Sequence, residues 1–239
     1  MDNKQFLVVG GSHGIGFAIT KRLLDSGASV TVVSRTVGQL GELDESLASR
    51  MNYMAADVTT NEIDSLVIPE QLDGMVYCPG SINLVPLRTM KPALLRSDFE
   101  LNVVAAVRMM QRATEPLKAS TPSSVVLFST VAVGTGLAMH TSVAAAKGAV
   151  EGITRTWAAE FAPKIRINCI APALTETPLS ERLLSNDAKR KAMASVYPLG
   201  RFGDVDDIAS MATFLLGDES TWITGQVFGI DGGMSRVKT

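Results

Sequence analysis

Cysteine is nearly missing: the chain has 2 in 239 residues, Cys78 and Cys169, each inside an apolar run that reads as a strand. That leaves no disulfide framework to expect, and a reducing, cytoplasmic setting follows. An excess of either charge is also lacking. Lys and Arg total 22 against 24 Asp and Glu, for a net charge of −2, which gives no electrostatic footprint for nucleic acid or an anionic membrane. No apolar run approaches membrane-spanning length, and Met1 to Gln5 leads straight into a strand without a hydrophobic leader, so neither insertion nor secretion is expected. There is no repeat, low-complexity tract or long linker, and no metal site is expected. Residues 1–239 read as one domain.

What is present is 46% hydrophobic and 19% charged residues, a composition suited to a large core. Short β-rich runs alternate with helical stretches. Phe6–Val9, Ser29–Ser34, Met51–Ala55, Gly74–Cys78, Ser124–Ser129, Arg166–Ala171 and Gln226–Ile230 read as strands. Helical patterns cover Phe17–Leu24, a stunted Glu62–Leu66, a long Pro92–Leu117, Ser142–Phe161, Leu179–Ala194 and Val205–Leu216. Such alternation predicts an α/β fold: a doubly wound, Rossmann-type, mostly parallel sheet of seven strands with helices on both faces. The strands are continuously apolar, as they must be when both faces are covered. Ligands of such sheets bind beyond the carboxyl ends of the strands, where strand order reverses.

The first strand is followed by Gly10-Gly11-Ser12-His13-Gly14-Ile15-Gly16 and then a helix. Glycines allow the tight turn, and backbone N–H groups at a helix start attract a pyrophosphate. A lone glycine triplet is weak evidence, but its place between a strand and a helix favours a dinucleotide site. About twenty residues on, the second strand ends in Ser34-Arg35-Thr36. A carboxylate here would select NAD, whereas arginine suits a 2′-phosphate. Arg35, with His13 as a further donor, therefore predicts NADP(H). The plainer reading of Arg35 is an ordinary surface charge.

These spacings resemble the short-chain dehydrogenase/reductase family, in particular its 3-oxoacyl-carrier-protein reductase-like members, from Phe6 to Met234. Gly10, Gly14 and Gly16 match its turn pattern, although Val9 stands where threonine is usual. Asp57-Val58 resembles the adenine-contacting pair, and Asn102 the asparagine that holds a helix kink and an active-site water. Pro172 to Thr177 resembles the segment that contacts the nicotinamide carboxamide and phosphates, through Pro172, Thr175 and Thr177, with Ala173 where glycine is usual. Pro198-Leu199-Gly200-Arg201 and the stretch from Ile223 to Gly233 match the C-terminal signatures. The resemblance implies a nicotinamide cofactor, a small carbonyl or alcohol substrate, and a homodimer or homotetramer built on the two long helices.

The family's chemistry implies a Tyr-x-x-x-Lys pair, whose members share one helix face. Lys147 is present, but Val143 stands four residues earlier. Thr130 occupies the usual serine position and still offers a hydroxyl. Valine offers no proton, and general acid help is worth roughly two to four orders of magnitude in rate. Tyr53, Tyr77, Tyr197, His140 and Ser142 are conceivable substitutes, each with a plainer structural role, Ser142 as a helix N-cap. Cys78-Pro79-Gly80 replaces the family's Asn-Ala-Gly, leaving Gly80 as the matching cofactor contact. Three readings stay open. One is an NADP(H)-dependent oxidoreductase using Thr130, Lys147 and Asn102 with a water-borne proton. A second is a catalytically impaired dinucleotide-binding sensor or partner subunit. The third is an ordinary reductase carrying a variant valine. Residues 179–197 are expected to cover the substrate, and Lys189, Arg190 and Lys191 within them read as a solvated helix face.

Overall fold

Runs of β-branched and apolar residues bounded by turn formers make the strands, and the helices between them force every strand to point the same way. The computed structural model describes residues 1–238. Strands β1 (Gln5–Val9), β2 (Ser29–Ser34), β3 (Met51–Ala55), β4 (Gly74–Tyr77), β5 (Ser123–Phe128), β6 (Ile165–Pro172) and β7 (Val227–Ile230) form one seven-stranded sheet. Its order is β3-β2-β1-β4-β5-β6-β7, and all neighbouring strands are parallel. Helices α1 (Gly14–Asp25), α2 (Glu45–Ala48), α3 (Pro92–Phe99), α4 (Ala105–Ala119), α5 (Ala132–Thr135), α6 (Thr141–Phe161), α7 (Asp187–Ala194) and α8 (Val205–Leu216) connect them. The fold is the doubly wound α/β architecture that the alternation predicts.

Successive strand residues point to opposite faces, so each strand feeds two cores. In β1, Leu7 and Val9 join a layer with Met109 and Leu117 of α4 and Val150 of α6. Phe6 and Val8 join the other layer, with Ile19 and Leu23 of α1 and Ile208 and Leu215 of α8. These side chains are fully buried or nearly so, each worth roughly 1.5–3 kcal/mol relative to exposure.

Every expected strand lies within one residue of its observed bounds. The helices differ more. α1 begins at Gly14 rather than Phe17, because the last part of the glycine turn is already helical. The long helix expected over residues 92–117 is broken by a π-turn at Glu100–Val104. The stretch after Thr177 is a 3-10 helix, Pro178–Leu184, followed by α7, whose N-cap Asn186 accepts a hydrogen bond from the Lys189 amide at 2.9 Å. No described helix is long and apolar enough to cross a membrane.

β1 lies between β2 and β4, so the chain winds away in opposite directions on either side of it. The crevice of such a sheet opens at this switch point. Gly10, just past β1, faces Pro79, just past β4: a β-carbon on Gly10 would sit 3.1 Å from Pro79 Cδ.

Candidate functional site

The glycine turn is shaped by contacts that leave no room for side chains. Gly10 has a φ of 77°, in the region that favours glycine. A β-carbon on Gly16 would overlap the Gly10 carbonyl oxygen, so the turn closes directly on the first residues of α1. Thr20 Oγ1 fastens it from below, donating to the carbonyls of Gly11 at 3.2 Å and Gly16 at 2.9 Å. The first N–H groups of a helix lack intrahelical partners. Among the described residues those of Ile15 and Gly16 meet no protein acceptor, which suits an anion. The Gly14 amide is different: it donates to Gln39 Oε1 at 3.2 Å. Gln39 is not evident from the turn pattern. Only its position shortly after β2, opposite the turn, could have signalled it.

Ser12 is buried, its hydroxyl 2.9 Å from His13 Nδ1. The His13 ring lies over Gly38, where any β-carbon would collide with it. His13 thus packs onto the segment after β2, on the side where Arg35 emerges. Ser34 offers less than its position suggests: it is buried and its hydroxyl donates to the Thr36 carbonyl at 3.0 Å. Arg35 and Thr36 are exposed, and the Arg35 guanidinium has no hydrogen bond or ion pair among the described residues. Asp57 binds the Thr59 amide at 2.9 Å and its hydroxyl at 2.7 Å, which lowers its carboxyl below the usual range; Val58 beside it is buried.

The structure brings Asn102, Lys147 and Gly80 together. Asn102 lies in the π-turn, where its Nδ2 donates to the Asp98 carbonyl at 2.7 Å while its buried Oδ1 has no partner. π-Turns inside helices are frequent at functional sites. A β-carbon on Gly80 would lie 3.3 Å from Lys147 Nζ and 3.5 Å from Asn102 Oδ1, so both polar groups converge on the open side of this glycine. Burial drives the Lys147 ammonium down to about 8, against the opposing influence of Cys169, Cys78 and Asp98. Val143 precedes Lys147 by four residues on the buried face of α6. Thr130 follows β5, and its Oγ1 accepts from the Ala132 amide at 3.3 Å.

The conceivable replacements for a phenol are engaged elsewhere. Tyr77 is buried, donates to the Leu101 carbonyl at 2.6 Å, and has its phenol pushed far up by burial. Tyr53 donates to the Ser34 carbonyl at 3.2 Å. Tyr197 Oη accepts from the Leu174 amide at 3.2 Å. His140, not Ser142, precedes the first helical residue of α6, and its Nδ1 is 2.7 Å from the Ala138 carbonyl. Ser142 is therefore no N-cap. It sits in the first turn of α6 and points inward to Asp98, because α6 begins one residue earlier than the pattern suggests.

Beyond β6, Pro172 is half-buried and Thr175 buried, with Thr175 Oγ1 donating to the Ala173 carbonyl at 3.2 Å. Thr177 comes back against the glycine turn, its Cγ2 placed 3.2 Å from a β-carbon on Gly14. Arg190 of α7 pairs with Glu176 at 2.7 Å and stacks over Phe202 at 5.0 Å, so it ties the 178–194 segment down. In the C-terminal signature, Arg201 grips both oxygens of Asp207, at 2.6 and 2.8 Å, holding that carboxyl down to about 2.

A family model described as enoyl-(acyl carrier protein) reductase matches residues 9–235. The chain belongs to the short-chain dehydrogenase/reductase family. This short-chain dehydrogenase/reductase is 31% identical to the 3-oxoacyl-(acyl-carrier-protein) reductase FabG of Thermotoga maritima over 98% of each chain. It is also 33% identical to a tropinone reductase homolog of Arabidopsis thaliana, over 97% of this chain and 92% of that one. Among solved structures it is similar to a tyrosine-to-phenylalanine variant of ElxO with NADPH bound, at a TM-score of 0.88 and 27% identity over 97% of this chain and 98% of that one. A short-chain dehydrogenase/reductase from Mycobacterium ulcerans superimposes with a TM-score of 0.89 at 28% identity, over 98% and 90% of the two chains. Membership makes the protein part of an oxidoreductase family that uses a nicotinamide dinucleotide.

Proposed function

We propose that this protein is an NADP(H)-dependent oxidoreductase acting on a carbonyl or alcohol, with a water-borne proton in place of the missing phenol. The observation that carries the reading is the convergence of Lys147 Nζ and the unpartnered Asn102 Oδ1 on Gly80. The likeness to the tyrosine-to-phenylalanine variant of ElxO, solved with NADPH bound, supports the phosphorylated cofactor, as does Arg35, unpaired among the described residues. The residues fit such a group. The Ile15 and Gly16 amides would take the diphosphate, Arg35 with His13 the 2′-phosphate, Asp57 and Val58 the adenine side, and Lys147 the nicotinamide ribose.

When bound, the nicotinamide supplies or accepts a hydride. The chain's own work is orientation and proton handling. The Thr130 hydroxyl donates to the substrate oxygen. Asn102 Oδ1 and Lys147 Nζ offer an acceptor and donors for one water. That water gives its proton to the oxygen and is replenished from the Lys147 ammonium. A cytoplasmic homodimer or homotetramer, associated through α4 and α6, completes the proposal.

The pH dependence follows from Lys147. Its charge is present below about 8 and lost above it, so NADPH affinity is expected to weaken, roughly three- to tenfold, as pH rises from 7 to 9. Fluorescence titration at each pH checks this, and Lys147→Met should flatten the profile. The same group affects stability with the opposite sign. The folded lysine deprotonates at about 8 while the unfolded one holds its proton to 10.5, so its burial cost disappears as pH rises through that window.

The connections leaving the sheet's carboxyl edge expose Ile82, Leu87, Leu137, Met139, Leu179 and Val196. Val143 in place of a phenol adds a further apolar side chain beside Lys147. Ketones with an apolar body are therefore expected to be reduced at least tenfold more efficiently than polyols or sugars of similar size. Following NADPH consumption across such a panel tests the proposal, and equal rates for both groups would reject the substrate assignment. Val143, which has no titratable proton, favours one second reading: a protein that binds the dinucleotide without turnover. NADPH binding with no consumption on any member of the panel would establish that reading instead.

A further inference from the structure

The helix that carries Lys147 is fastened at its first turn to a buried acid that the proposed function leaves unused. Asp98 of α3 is only 2% exposed. Its Oδ1 accepts from Ser81 Oγ at 2.6 Å and Asn83 Nδ2 at 2.7 Å, and its Oδ2 accepts from Ser142 Oγ at 2.6 Å. Its main-chain carbonyl holds the Asn102 side chain. Three segments thus meet on one residue: the loop that follows Gly80, the helix leading into the π-turn, and the start of α6. A carboxylate taken out of water is costly unless its oxygens are satisfied and a charge answers it.

We propose that Asp98 is a positioning residue for the Lys147 site, clamping the Ser81–Asn83 loop and the first turn of α6 into one frame. The groups that favour the charged lysine are Cys169 from β6, Cys78 after β4, and Asp98 from α3. Burial pushes both thiols up to about 12, so at neutral pH they are uncharged. The clamp acts through geometry as well. Ser81 adjoins Gly80, and Ser142 adjoins Val143, so one carboxylate sets the spacing of both walls around the lysine.

The functional consequence rests on reading Lys147 as the ribose-holding group, whereas the clamp does not. The test is a ¹³C-lysine NMR titration of the full chain, with Lys147→Met assigning the signal. In the wild type Lys147 is expected to titrate near 8, and in Asp98→Asn, which keeps the shape but weakens the clamp, lower than that. An unchanged titration in a folded Asp98→Asn protein would show that Asp98 does not set the surroundings of the lysine and would overturn the positioning role. Ser142→Ala keeps the acid and tests the clamp without relying on the first variant. It should quicken amide exchange roughly tenfold both in residues 81–83 and in the first turn of α6. Loosening confined to α6 would overturn the clamp. NADPH titration of the same samples separates the two readings: a wild-type lysine that titrates near 8 in a protein that binds no NADPH would remove the cofactor assignment and leave Asp98 in its role.

Discussion

Val143→Tyr is expected to raise the rate of ketone reduction with NADPH at least tenfold, and toward roughly a hundredfold. The position is one helical turn before Lys147, on the same buried face of α6. A phenol there would lie beside the lysine ammonium, which favours the phenolate and so eases proton transfer. The added ring exceeds the volume of valine at a site that is 6% exposed, and overpacking costs about 1–3 kcal/mol. Melting temperature is therefore measured alongside turnover. Val143→Phe supplies the same bulk without the hydroxyl and should gain nothing. A wild type that already matches the tyrosine variant across the ketone panel would show that the phenol is dispensable and that another acid serves.

Arg35→Glu is expected to weaken NADPH binding by roughly a hundredfold while changing NADH binding far less. The guanidinium is exposed and, among the described residues, unpaired where β2 ends, which leaves both of its arms available for a bidentate contact to phosphate. Reversing its charge removes that contact and adds repulsion, and a hundredfold corresponds to about 2.7 kcal/mol. Calorimetry with the two cofactors makes the comparison. Equal NADPH affinity in variant and wild type would remove the 2′-phosphate assignment.

Much of this architecture is legible in the amino-acid order, for a simple physical reason. A strand covered on both faces is an unbroken apolar run, and Phe6–Val9, or the Val125–Phe128 run inside the expected Ser124–Ser129 strand, announces itself as such. Periodicity does not reveal the π-turn at Glu100–Val104, because one extra residue in a turn leaves the apolar spacing almost unchanged. Only Asn102, through the resemblance, points to the kink. Side-chain partners are less legible still. Ser142 reads as a cap until the helix is seen to start at Thr141. Asp98 gives no signal in the amino-acid order; its role emerges only where Ser81, Asn83 and Ser142, from distant parts of the chain, are found around it. Ser34 occupies the position expected to meet the cofactor ribose, yet its hydroxyl is turned back on Thr36. The positions that resist sequence reading are those whose role depends on a partner far along the chain.

Gln39 gives the phosphate turn an internal rival. Its side-chain oxygen already accepts from the Gly14 amide, so an incoming diphosphate gains there only the difference between two acceptors, not a whole new bond. Ile15 and Gly16, which have nothing to give up, must contribute most of the attraction. The loop carrying Gln39 is also the one beneath the His13 ring, so displacing that side chain loosens the wall next to Arg35. Under the proposed assignment, occupation of the diphosphate site and selection of the adenosine phosphate would be joined mechanically through a single short loop.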